Sequence, residues 1–201
     1  MNELKKKRMK AVFKYTWPFY LISAILVVFL MNFIFGFVHR TPLYKTLTIF
    51  VSGKVEDRNL LRKDLLAKFK DKDLRDLSFI DCDPSNTHYD AKLSVTGYNS
   101  ADILIIGKTK LDSVDVSAFG IEIDNTLEEN YYKSLAFYSQ NEKNYGVKID
   151  KEKVKAYMSL PEEDCYMILN GNSQNIGEYS TTKVTERDNA LVLVKDWGTN
   201  V

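Results

Sequence analysis

The richest run of chemically capable side chains is Asp81-Cys82-Asp83-Pro84-Ser85-Asn86-Thr87-His88-Tyr89-Asp90. Cys82, Asp83, His88 and Asp90 are all possible metal ligands. A zinc site, however, calls for a second histidine or a paired Cys-x-x-Cys, and neither accompanies them. The run also follows an apolar segment that reads as a strand, and the C-terminal ends of strands are where open α/β sheets hold ligands. Asp83, Ser85, Asn86 and His88 are therefore candidate ligand or partner contacts, with a solvated turn as the plainer reading. Ser52 joins them at the end of another strand. Ser52-Gly53-Lys54 lies between a strand and a helix, as a phosphate loop does, but the first glycine and the hydroxyl of G-x-x-x-x-G-K-S/T are missing, so a simple turn is expected. The chain has 2 histidines, His39 and His88, and 2 cysteines, Cys82 and Cys165. No nucleophile, base and orienting group stand out together, so no catalytic residue, cofactor or metal is assigned. A Cys82–Cys165 bridge is left open.

These residues sit on an asymmetric chain of 201 residues with a net charge of +1. Up to position 40 there are seven basic residues against Glu3 alone, and positions 41–201 carry 21 basic and 26 acidic residues, a net of −5. The composition, 45% apolar with 9 Gly and 4 Pro, excludes collagen-like and disordered chains. The acidic outer part, with its lysines interleaved among acids, argues against nucleic-acid binding.

Trp17 to Val38 is a run of 22 residues without a charge. As a helix it measures about 33 Å, enough to cross a hydrocarbon core of about 30 Å. Trp17 and Tyr20 suit an interface, and Pro18 fits a first helical turn. A cleaved signal peptide would end in small residues, whereas Asn32-Phe33-Ile34-Phe35-Gly36-Phe37-Val38-His39-Arg40 is bulky. The expectation is a basic cytoplasmic tail (1–16), a transmembrane helix (17–38), a linker (39–45) and an extracytoplasmic domain (46–201). Six of the seven basic residues precede the span, which puts the N-terminus inside. The same lysines could touch anionic headgroups.

Leu47–Val51 reads as a buried strand, and Asp57 opens a helical pattern with Leu61, Leu65 and Phe69 on one face. Leu77–Cys82 and Asp102–Gly107 read as strands, the latter apolar on both faces. Strand, helix, strand, connection, strand is a βαβ order, so the fold class is α/β with a mostly parallel sheet covered by helices. Tyr89–Thr96 and Lys110–Val116 are possible short helices, and Phe119–Asp124 alternates. Gln140–Asn144 reads as a hairpin turn, and Cys165–Leu169 as a strand before a polar loop. Thr185-Glu186-Arg187-Asp188 could cap a final helix with Ala190, Leu191, Val194 and Trp197 inward; a strand there is the alternative. Tyr131, Tyr132, Phe137, Tyr138, Tyr145 and Tyr157 suggest core packing or an exposed protein-binding face.

Four segments resemble one lobe of a bacterial extracellular (periplasmic) solute-binding protein, the receptor of an ABC importer. Leu47–Val51 with its helix looks like the first βα unit. Gly97–Ile106 is similar to the family's "aDIvii" strand, and Asn144–Ile149 to its "YGIp" segment. Tyr166–Asn170 through Gly177 resembles "yylfiN…S…lG", with Ala190–Lys195 as the following helix. The resemblance implies a solute-binding-like lobe. Such receptors are typically twice this length, so the second lobe is expected to be absent, and no ligand residue carries over. The attachment also differs, a transmembrane anchor replacing a lipidated cysteine. The expected function is a membrane-anchored, non-enzymatic module docking a partner protein, such as a transporter component or a second copy. The alternatives are a sensor or transport accessory that binds a small solute and, third, an α/β hydrolase dependent on His88.

Overall fold

The computed structural model describes residues 3–38, 41–72, 74–179 and 187–200. The chain divides into two compact units, residues 1–40 and 41–201. The first is a single helix, α1 (Glu3–Val38), whose stretch Lys5–Gly36 is long and apolar enough to cross a membrane. Its large apolar side chains from Met9 to Phe35 are exposed on all sides, as a lipid-facing helix requires. One expectation is corrected. Pro18 lies inside the helix, not in its first turn, because the lysine-rich residues 5–14 favour helix and extend it towards the N-terminus. Pro18 has no N–H to give to the Lys14 carbonyl. The hydroxyls of Thr16 and Ser23 donate back to Val12 O (2.7 Å) and Tyr20 O (2.9 Å). His39 and Arg40 lie outside the described residues.

In the second unit, β1 (Thr46–Ser52) stops at Gly53 and resumes as the short β2 (Lys54–Val55). Helix α2 (Arg58–Lys68) begins where Asp57 accepts the Leu60 N–H at 2.8 Å, and it buries Leu61 and Leu65. Strand β3 (Asp76–Cys82) leads to α3 (Tyr89–Lys92), a π turn over Leu93–Gly97, and α4 (Tyr98–Ser100). Then come β4 (Ile103–Gly107), α5 (Lys108–Asp112) and α6 (Asn125–Leu127). Phe119–Asp124 forms no strand, although Ile121 N–H donates to Leu169 O and Ile123 N–H to Asn144 O. The hairpin of β5 (Phe137–Gln140) and β6 (Lys143–Lys148) turns through Asn141 and Glu142, both with positive φ (53° and 62°), as a tight turn matched to strand twist requires. Helix α7 (Lys151–Val154), β7 (Met158–Ser159), β8 (Cys165–Leu169) and α8 (Asn189–Trp197) complete the order.

The main sheet runs β3-β1-β4-β8-β6-β5, and β2 pairs with β7 in a separate ribbon. β3, β1 and β4 are parallel; β8 is antiparallel to β4 and to β6, and β5 is antiparallel to β6. Four of the six strands therefore point one way, and the antiparallel half arises where a hairpin replaces a helical crossover. Alternation along each central strand feeds two cores. Leu47, Ile49, Val51, Ile103, Ile105 and Met167 pack with α2 and with Ala190, Leu191, Val194 and Trp197 of α8. Phe50, Leu104, Ile106 and Ile168 pack on the other face with Tyr89, Leu93, Leu111 and Val116. The unit is thus an α/β fold with helices on both faces of a mixed sheet. Residues 189–197 are helical, which removes the strand alternative. Asp188 is the N-cap but makes no capping bond through its side chain, and Thr185 and Glu186 lie outside the described residues.

Candidate functional site

The chain passes from β1 to β3 on one side and from β3 to β4 on the other. This places the topological switch between the C-terminal ends of β1 and β4, where open α/β sheets usually form a ligand crevice. Here residues 157–164 of the same chain run past the crevice and touch the ends of both strands. At the β1 end, Gly53 (φ 149°) lies so close to the Ser159 carbonyl that a Cβ would collide with it. Glu56 N–H donates to Tyr157 O at 2.9 Å, and β2 pairs with Met158–Ser159. At the β4 end, a Cβ on Gly107 would collide with the Glu163 carboxylate. That carboxylate accepts from Thr109 N (2.7 Å) and Oγ1 (2.5 Å), and Lys108 N–H donates to Asp164 O (2.8 Å). The segment is therefore a strap across the switch point. Lys151 fastens it, its ammonium donating to Pro161 O (2.5 Å), Glu162 O (2.8 Å) and Glu163 O (2.6 Å).

The residues singled out from sequence fall at the same end of the sheet, in two different settings. Ser52, the last residue of β1, is fully buried, and its hydroxyl shares a short hydrogen bond with the Tyr89 hydroxyl. Burial pushes the Tyr89 phenol up to about 12. Asp83, Ser85, Asn86 and His88 form an exposed turn after β3. The Asp83 carboxylate accepts from Ser85 N (2.8 Å) and Oγ (2.7 Å), which holds it below the usual carboxylate range. Asn86 Oδ1 accepts from His88 N at 2.9 Å. The structure thus gathers the four turn residues, while Ser52 faces the core beneath Tyr89. Among the described residues, no group of three or more His, Cys, Asp or Glu could hold a metal ion.

A second polar centre lies at the opposite end of the sheet and escaped the sequence reading. Asp102, just before β4, is 8% exposed. It accepts from Thr48 N (2.7 Å), Ser173 Oγ (2.5 Å) and Asn175 Nδ2 (3.2 Å). Burial pushes its carboxyl above the ordinary range, against the opposing pull of those donors. Asn175 also donates to Thr46 O (3.0 Å) and accepts from Asn189 Nδ2 (3.2 Å). Asn170 Nδ2 reaches Tyr98 O at 2.8 Å. The network ties β1, β4 and α8 to the loop after β8. Beside it opens a cavity of about 220 Å³ lined by Thr46, Thr48, Asn99, Ser100, Asp102 and Asn172, among others. The available signal was the adjacency of an acid before one apolar strand to an Asn-rich run after another. Ile103 pairs with Leu169, so Asp102 and Asn170 are brought side by side.

Cys82 and Cys165 are both free and buried. Their strands are three places apart in the sheet, about 14 Å at normal spacing, and the two thiols pack into opposite cores. No bridge between them is possible without rebuilding the sheet. Burial pushes the Cys165 thiol up to about 11, which makes it a poor nucleophile. Of the aromatics, Tyr132, Tyr138 and Tyr145 are buried, and Tyr131, Phe137 and Tyr157 pack partly buried against the core. No protein-family model matches this chain, and no curated protein matches it significantly.

Proposed function

We propose that this chain is a single-pass membrane protein with its N-terminus in the cytoplasm, and that its α/β unit acts outside the cell as a non-enzymatic module that docks a partner protein. The observation that carries the docking reading is the strap. At the crevice in which an open α/β sheet takes a small ligand, Ser159 packs against the end of β1 and Glu163 against the end of β4. The anchor reading rests on residues 17–38 of α1, which are uncharged and follow six basic residues. The resemblance of residues 97–106, 144–149 and 166–177 to a solute-binding lobe supports an extracytoplasmic setting. Among partners, a transporter component or another membrane protein fits best.

Two measurements on the full chain test this. Protease added to intact cells shaves away residues 41–201, whereas full protection refutes the orientation. A photo-crosslinking residue at the exposed Val95 or Leu60 then yields an adduct with another membrane protein in intact cells. Adducts with the chain alone, or none at either position, count against a heteromeric partner.

One observation favours a second reading, a sensor or transport accessory for a small solute. The cavity beside Asp102 is about 220 Å³ and is lined mostly by residues with polar side chains. A ligand bound only by the folded state raises the unfolding temperature. Amino acids, sugars and inorganic anions screened against the detergent-solubilised chain distinguish the two readings, and a saturable stabilisation selects the second.

A further inference from the structure

Within the span 17–38 the polar side chains are unequal. Ser23 returns its hydroxyl proton to Tyr20 O, and just before the span Thr16 does the same to Val12 O. The Asn32 carboxamide makes no hydrogen bond among the described residues, and it lies on a helix face whose neighbours are apolar. Counted from Trp17 at about 1.5 Å per residue, Asn32 is about 22 Å along the helix, still inside a hydrocarbon core of about 30 Å. There it has no water to bond, and its side chain is too short to reach the headgroups easily.

A carboxamide is both donor and acceptor, so two of them facing each other across a twofold axis satisfy one another. Gly36 follows one turn later on the same face, and nothing lies within 4 Å of where its Cβ would be, which leaves the backbone open to close approach. Ile25 and Val28, at i−7 and i−4 from Asn32, complete an apolar seam. We propose that α1 pairs with α1 of a second copy of this chain, with the Asn32 carboxamides hydrogen-bonded to each other at the crossing point and Gly36 in the contact. This rests on the reading of α1 as a membrane span.

The basic residues N-terminal to the span do not oppose this geometry. Lys14, the nearest of them, lies 18 residues from Asn32, about 27 Å along the axis. At a crossing angle of about 40° the two Lys14 positions are about 20 Å apart, well beyond a Debye length of about 8 Å.

The full chain, labelled with donor or acceptor dye and reconstituted in phosphatidylcholine vesicles, tests the pairing through energy transfer at increasing protein-to-lipid ratio. The wild type dimerises. Asn32→Leu weakens the dimer about 3- to 30-fold, the range of one or two interhelical hydrogen bonds, while Asn32→Gln retains it. Gly36→Leu also weakens it. Resistance to alkaline carbonate extraction is measured in parallel. Extraction of the wild type from membranes sinks the anchor reading itself. A membrane-integrated Asn32→Leu chain with wild-type energy transfer, or a wild type that stays monomeric, overturns the pairing and leaves the anchor standing.

Discussion

Replacing Lys151 with methionine should loosen the strap without unfolding the domain. Methionine keeps most of the stem but removes all three bonds from the ammonium to Pro161, Glu162 and Glu163 carbonyls. Two of these bonds are partly buried and one is exposed. Taking about 1.5 kcal/mol for each partly buried bond to a charged donor, and little for the exposed one, the strap loses about 3 kcal/mol. That corresponds to about a hundredfold rise in the local opening constant. The reporters are amides that the strap protects directly: Glu56 N–H on Tyr157 O, Lys108 N–H on Asp164 O and Thr109 N–H on the Glu163 carboxylate. Hydrogen–deuterium exchange of the full chain in detergent should accelerate at these amides by about that factor. Amides of β4 between Ile103 and Ile106, buried in the centre of the sheet, should exchange as before. Unchanged protection at Glu56 and Lys108 would refute the role of Lys151. So would an equal acceleration through β4, because the variant would then be opening the whole domain.

Three further outcomes follow from the same geometry. Gly53→Ala places a methyl against the Ser159 carbonyl at a φ of 149°, so the urea midpoint should fall by the equivalent of about 2 kcal/mol or more; a neutral effect means the strap does not press on β1. Burial raises the Asp102 carboxyl in the folded state, so the native protein retains a proton that the unfolded chain has released. Stability measured by urea titration should therefore fall as pH rises from about 4 through the raised value, and Asp102→Asn should remove that component; identical slopes contradict it. His88→Ala alters an exposed turn residue and should shift stability by less than about 0.5 kcal/mol, while loss of any hydrolytic activity in that variant would revive an enzymatic role.

Local patterns were readable wherever a single element decides the outcome. The i, i+4, i+8 series Leu61, Leu65, Phe69 with Asp57 ahead of it announced α2, and the doubly apolar run at residues 103–107 announced a central strand. The hairpin was legible from its polar turn, although the positive φ of Glu142 was not. What escaped is assembled from distant segments. The Asp102 network draws on positions 48, 102, 170–175 and 189, which carry no shared periodicity. The strap depends on Gly53, Gly107, Lys151 and Glu163, each unremarkable in its own stretch. Ser52 shows the converse: its position at a strand end was legible, but the alternation of β1 turns its hydroxyl towards Tyr89 and the core. Pro18 was misplaced because the helix start was taken from hydropathy, while helix propensity carried it back through the lysines to Glu3.

That proline makes the anchor mechanically uneven. The Lys14 carbonyl loses its usual intrahelical donor at the boundary between charged and apolar residues, so α1 bends most easily there. In the proposed membrane setting, rotation about this point swings Lys5, Lys6, Lys7, Arg8 and Lys10 relative to the apolar span, so the cationic arm and the span have separate orientational freedom.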